Sequence, residues 1–126
     1  NRTALKAQAL AAEFGCRWAR WEARAELDAD VVINTTSVGM HPDVDASPLP
    51  AEALRPGMVV FDTVYNPLRT RLLEQARARG CRTIDGLTML VNQAAAQFRV
   101  WTGHAAPTEL MRQVAERRLV AGGSPA

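Results

Sequence analysis

Two stretches, Asp30-Val-Val-Ile-Asn34 and Met58-Val-Val-Phe-Asp62, decide the fold. Each is a short apolar run, rich in β-branched residues and closed by a polar one, and too short to be read as a helix. Such runs belong to strands of a parallel sheet, and the first reads as a strand covered on both faces. Outward from them the apolar spacing turns helical. Leu5, Ala9, Leu10, Ala12 and Phe14 predict a helix over residues 4–14, with Thr3 as N-cap and Gly15 as its stop. A second helix is expected over residues 68–79, ended by Gly80. A third covers residues 87–101, where apolar positions 87, 90, 91, 94, 95, 98 and 101 draw one stripe. A last amphipathic helix covers residues 107–119. Residues 16–18 and 81–84 read as further strands, and residues 22–27 as a brief helical turn.

Strands alternating with helices predict a three-layer α/β arrangement with parallel strands at 31–33, 58–61 and 81–84. A doubly wound nucleotide domain normally has a strand, a Gly-rich turn and a helix ahead of such elements. No G-x-G-x-x-G occurs in these 126 residues. The expected fold is therefore a partial doubly wound parallel sheet over residues 1–121, lacking its first strand and Gly-rich turn and followed by C-terminal helices. Residues 122–126, Gly-Gly-Ser-Pro-Ala, read as a disordered tail.

Composition narrows the function classes. With 48% hydrophobic and 22% charged residues the chain is globular. No apolar run approaches the roughly 20 residues a membrane-spanning helix needs. Lys6 is the sole lysine, and the arginines are scattered among acids rather than interleaved with aromatics, which argues against a nucleic-acid groove. Cys16 and Cys81 form no C-x-x-C pair, and His41 and His104 stand in separate loop-like stretches, so no metal site is expected. Two reduced thiols fit a cytoplasmic protein.

Four groups carry possible chemistry. Asn1, Arg2, Thr3 and Lys6 stand where a strand tip would meet a helix N-terminus. Arginine at that place accommodates a 2′-phosphate where a carboxylate would select a free hydroxyl, although exposed charges at a chain end would look the same. Asn34-Thr-Thr-Ser-Val-Gly-Met40 puts the hydroxyls of Thr35, Thr36 and Ser37 at a strand's carboxyl edge, where α/β sheets bind ligands, or simply forms a turn. Asp62-Thr-Val-Tyr65-Asn-Pro67 holds the chain's only tyrosine. With Arg69 rather than a lysine four residues on, Tyr65 suits a hydrogen-bond donor better than an acid–base catalyst. In Asp85-Gly-Leu-Thr-Met-Leu-Val-Asn-Gln93, Gly86 and Gln93 lie seven positions apart, on nearly one helical face. Gly86 would let a flat ring approach the backbone, and Gln93 is either a substrate contact or an ordinary exposed residue.

In this order and spacing the four groups resemble the shikimate dehydrogenase family. The resemblance continues through Leu72-Leu73, Phe98, Trp101-Thr-Gly103 and Pro107 and covers the chain to about Leu119. The Thr-Thr-Ser form, with Pro42 and Ser47-Pro48 after it, looks most like the versions fused to a dehydroquinate dehydratase. The resemblance implies a Rossmann-like fold and NADP as cofactor. Asn1, Arg2, Thr3 and Lys6 would hold the adenosine 2′-phosphate, and Thr35, Thr36 and Ser37 would lie along the cofactor. Backbone near Thr63 and Gly86 would flank the nicotinamide, while Tyr65 and Gln93 would reach the substrate.

The family reaction is reversible, NADPH-dependent reduction of 3-dehydroshikimate to shikimate, in aromatic amino acid biosynthesis. The family's proton-handling lysine and aspartate, its carboxylate-binding serines and its Gly-rich turn belong to an upstream region. None is among these residues, so no catalytic residue is assigned here, and this chain alone should be inactive and bind NADP poorly at best. A free-standing, non-catalytic module binding a nucleotide or a partner is the other reading. A sheet with an unpaired edge should also self-associate.

Overall fold

The computed structural model describes residues 3–26 and 28–122. Asn1, Arg2 and the tail residues 123–126 lie outside the described residues, as does Leu27 at the end of the expected turn. Helix α1 (Ala4–Phe14) has the expected bounds. Thr3 takes the N-cap position, its carbonyl accepting from the backbone N–H of Lys6 and Ala7. Gly15 turns left-handed at φ 62°, and the N–H of Cys16 closes back on the carbonyl of Ala11. A 3-10 helix follows at Trp21–Glu26. The expected strand over residues 16–18 is absent. These residues form no regular element, and among the described residues no strand pairs with them.

The sheet is parallel, in the order β1 (Val31–Asn34), β2 (Val59–Asp62), β3 (Arg82–Ile84). Val32 aligns with Val60 and Thr83, and Ile33 with Phe61 and Ile84. Helix α2 (Arg71–Ala78) packs on β2 and β3. Its Leu72, Leu73 and Ala76 close over Val60 and Leu54, with Val32, Leu49 and Cys81 at the margin. The helix begins three residues later than the spacing predicts, because the Thr70 hydroxyl accepts from the N–H of Leu73 and so fixes the N-cap.

Two expectations need correction. On the opposite face of β1, Val31 and Ile33 remain 54% and 55% exposed, so this strand is not covered on both sides. Among the described residues the sheet carries its helix on one face, giving two layers where three were expected. Helix α3 (Gly86–Thr102) includes the expected 87–101 and pairs with α4 (Thr108–Gly122). Its stripe is buried at Leu87 and Val91 and fades toward an exposed Trp101. No described helix is long and apolar enough to cross a membrane.

Candidate functional site

β1 and β2 both end in a buried polar residue, and the two residues are partners in register. Asn34 is 4% exposed and Asp62 not at all. The Asn34 amide donates to Asp62 Oδ1 at 2.9 Å and reaches the Val38 carbonyl at 3.3 Å. Its Oδ1 accepts from both the backbone N–H and the hydroxyl of Thr36, at 3.0 and 2.7 Å. Asp62 Oδ1 also accepts from the N–H of Val64 at 3.0 Å, and Oδ2 accepts from the Thr70 hydroxyl at 2.6 Å. Thr63 crosses between the strands, its N–H and hydroxyl both donating to the Asn34 carbonyl, at 3.0 and 2.9 Å. A polar group in a low-dielectric interior is costly unless paired, and here the pairs join the two loops to each other and to α2.

This network sorts the sequence candidates. The Thr36 hydroxyl is committed internally, donating to Asn34 and accepting from the N–H of Val38 at 3.1 Å. Thr35 and Ser37, on either side, are exposed. Their hydroxyls are the free donors of the Thr-Thr-Ser group. The Thr63 hydroxyl is likewise used up, leaving its backbone for any ligand. Tyr65 follows on the same loop and is 42% exposed.

Gly86 meets this loop from the other side. A Cβ on Gly86 would lie 2.5 Å from the Val64 carbonyl oxygen and 2.6 Å from that of Thr63. The glycine therefore lets the N-terminus of α3 dock on the β2 loop, a protein contact in addition to any approach by a flat ring. Asp85 caps that terminus, accepting from the N–H and hydroxyl of Thr88 at 2.7 and 2.8 Å. Arg112 of α4 bridges to the Thr88 hydroxyl, to Asp85 at 3.4 Å and to Glu116 at 3.0 Å. Partial burial pushes the Asp85 carboxyl up, but the bonds from Thr88 and the Arg112 charge outweigh it and hold it below the usual carboxylate range.

The carboxyl ends of β1 and β2 and the start of α3 are thus brought together. Gln93, two turns along α3, is exposed. Thr3 and Lys6 are placed at the start of α1, and among the described residues no side-chain ion pair ties Lys6 to the strand loops. Asn1 and Arg2 lie outside the described residues. An open cleft of about 310 Å³ runs along β1 past Trp21 and Arg24 to Thr35 and Thr36. Among the described residues no cluster of His, Cys, Asp or Glu could hold a metal ion. The buried Asn34–Asp62–Thr70 chain escaped the sequence reading. Its one signal was that both apolar runs end in a polar residue at the same place.

A family model described as the shikimate 5′-dehydrogenase C-terminal domain matches residues 86–116. A shikimate dehydrogenase (NADP(+)) from Methanosarcina mazei is 58% identical over 86 residues, 68% of this chain and 31% of that protein. One from Geobacillus kaustophilus is 45% identical over 119 residues, 90% of this chain and 43% of that protein. The crystal structure of shikimate 5-dehydrogenase from Thermus thermophilus, in complex with NADP(H) and shikimate, superposes with a TM-score of 0.80 at 44% identity. That match covers 94% of this chain and 44% of the Thermus chain. The chain spans less than half the length of these relatives. By sequence and by fold, it belongs to the shikimate dehydrogenase family.

Proposed function

We propose that the chain forms the dinucleotide-facing part of a cytoplasmic, NADP-dependent shikimate dehydrogenase, which interconverts 3-dehydroshikimate and shikimate in aromatic amino acid biosynthesis. The observation that carries this reading is the convergence of Thr35, Ser37, the Thr63 backbone and Gly86 at the carboxyl end of a parallel sheet. Ligands of open α/β sheets bind at that end. The exposed hydroxyls of Thr35 and Ser37, free of internal partners, fit a phosphate- and ribose-bearing cofactor. Its nicotinamide would supply the hydride.

In this reading Asn1, Arg2, Thr3 and Lys6 select the 2′-phosphate. Thr36 acts from behind, shaping the loop through Asn34, while the backbone of Thr63 and Gly86 flanks the nicotinamide. Tyr65 and Gln93 offer hydrogen bonds to the substrate. The acid–base pair comes from a region outside these residues.

Titration of this chain, fused to the N-terminal region of the Geobacillus relative, with NADP⁺ and NAD⁺, followed by amide chemical shifts, tests the cofactor assignment. A charge-assisted contact of about 1.5–3 kcal/mol predicts that Arg2→Ala weakens NADP⁺ roughly 10–100-fold and leaves NAD⁺ nearly unchanged. Equal losses for both cofactors would assign Arg2 to the fold instead. Shikimate-dependent NADPH formation should be absent from the chain alone. It should appear on fusion to the N-terminal region of the Geobacillus relative. Cofactor binding without turnover in that fusion would favour a non-catalytic nucleotide-binding module.

A further inference from the structure

We propose that Asp62 is a positioning residue for the dinucleotide, although no ligand atom can reach its fully buried carboxylate. This rests on the reading of the site as dinucleotide-facing. Asp62 holds three segments at once. Oδ1 takes the Asn34 amide, and Asn34 in turn closes the turn at Thr36 and Val38. The same oxygen takes the N–H of Val64, fixing the loop that carries Thr63 and Tyr65. Oδ2 takes the Thr70 hydroxyl at the N-cap of α2, whose Leu72, Leu73 and Ala76 are sunk in the core.

The two loops that would face the cofactor, already joined to each other by Thr63 and by the His41 N–H on the Asn66 carbonyl, are tied to the N-cap of α2 through the Asp62 carboxylate. Thr35 and Ser37 make no side-chain bonds of their own to hold them in place. Their placement descends from Asn34 and Thr36 between and behind them. Without the carboxylate, one hydrogen of the Asn34 amide and the Val64 N–H lose their acceptor, and the side-chain tie from both loops to the N-cap of α2 is gone.

The chemistry of the site also predicts which substitution rescues it. In Asp62→Asn the side-chain oxygen can keep Asn34 and Val64 as donors. The new amide then donates to Thr70, whose hydroxyl rotates to accept. In Asp62→Ala all three bonds are lost.

The test combines NADP⁺ titration with amide hydrogen exchange on the chain fused to the N-terminal region of the Geobacillus relative, as wild type, Asp62→Ala, Asp62→Asn and Leu54→Ala. The last is a core truncation that touches neither loop. Asp62→Ala should lose at least tenfold in NADP⁺ affinity and speed exchange at Thr36, Val38 and Val64. Exchange at Val60 and Ala76 should change less. Asp62→Asn should recover most of both losses.

A comparable affinity loss in Leu54→Ala, or exchange rising uniformly along the chain in Asp62→Ala, would overturn the proposal and make Asp62 merely structural. If Asp62→Ala does not fold, Asn34→Ala poses the same question from the β1 side. A wild-type fusion that binds no NADP⁺ would refute the dinucleotide reading and the affinity half of this proposal. Exchange at the loop amides would still decide whether Asp62 locks the loops.

Discussion

At the carboxyl end of the sheet Asn34 and Asp62 are buried, and hydrogen bonds connect them to both loops and to α2. On α1 only Ala11 is buried, while Leu5, Leu10 and Phe14 stand 76%, 47% and 73% exposed. Yet α1 is the element whose bounds the sequence predicts best. Local signals, a capping position and a glycine stop, suffice to define a helix. They do not say what the helix packs against. The strand ends show the reverse: their positions are legible to within a residue, but their meaning depends on contacts 28 residues apart in sequence.

The largest effect that would sharpen this contrast comes from the core beneath the network. Leu72→Ala removes a fully buried side chain between α2 and the sheet, and such truncations cost about 2–5 kcal/mol. Leu5→Ala, on the exposed face of α1, should change stability by less than about 0.5 kcal/mol. Urea unfolding of the two variants measures both. Comparable losses would mean that α1 is packed against something its exposure does not reveal.

Next in size is Gly86→Ala. The new methyl would meet two backbone carbonyl oxygens inside 3 Å, and neither belongs to a flexible side chain. The start of α3 or the Thr63–Val64 loop must shift, at a cost of about 1–3 kcal/mol for an overpacked site. The loss should appear as a lower urea midpoint with an unchanged slope, together with altered amide shifts at Val64 and Tyr65. A variant as stable as the wild type would show that α3 does not dock this closely, and would return Gly86 to a role toward the ligand alone.

These contrasts also explain which parts of the reading were legible. The apolar runs at residues 31–33 and 59–61 announce parallel strands because their composition is unusual and their length leaves no alternative. Residues 16–18, Cys-Arg-Trp, also read as a short strand and form none, since a strand exists only with a partner. Val31 and Ile33 look like residues buried on two faces, but composition cannot say whether a second layer is present to cover them. In Thr35-Thr-Ser37 the three hydroxyls look equivalent as letters. Only the fold shows that Asn34 claims the middle one and leaves the outer two free. The same long-range economy delays α2, because Thr70 serves both Asp62 and the helix cap.

The smallest expected effect concerns the joint between α3 and α4, where the network is half exposed rather than buried. Asp85 is held as a carboxylate by Thr88 and Arg112, so its folded-state value lies below that of the unfolded chain. A group shifted in this direction contributes its full stabilisation above the unfolded value, about 3.9 for aspartate. That contribution is lost as pH falls through the lower, folded value. Glu116 also pairs with Arg112, so the two acids must be separated. Asp85→Asn does this, because asparagine remains a good N-cap while removing one titration and leaving Glu116 in place. Between about pH 5 and pH 2.5 the wild-type unfolding midpoint should therefore fall more steeply than that of Asp85→Asn. At pH 7, Arg112→Ala should cost at most about 1 kcal/mol, the scale of a partly exposed ion pair. Parallel pH profiles for wild type and Asp85→Asn would show that neither the Thr88 bonds nor the Arg112 charge favours the ionised form of Asp85.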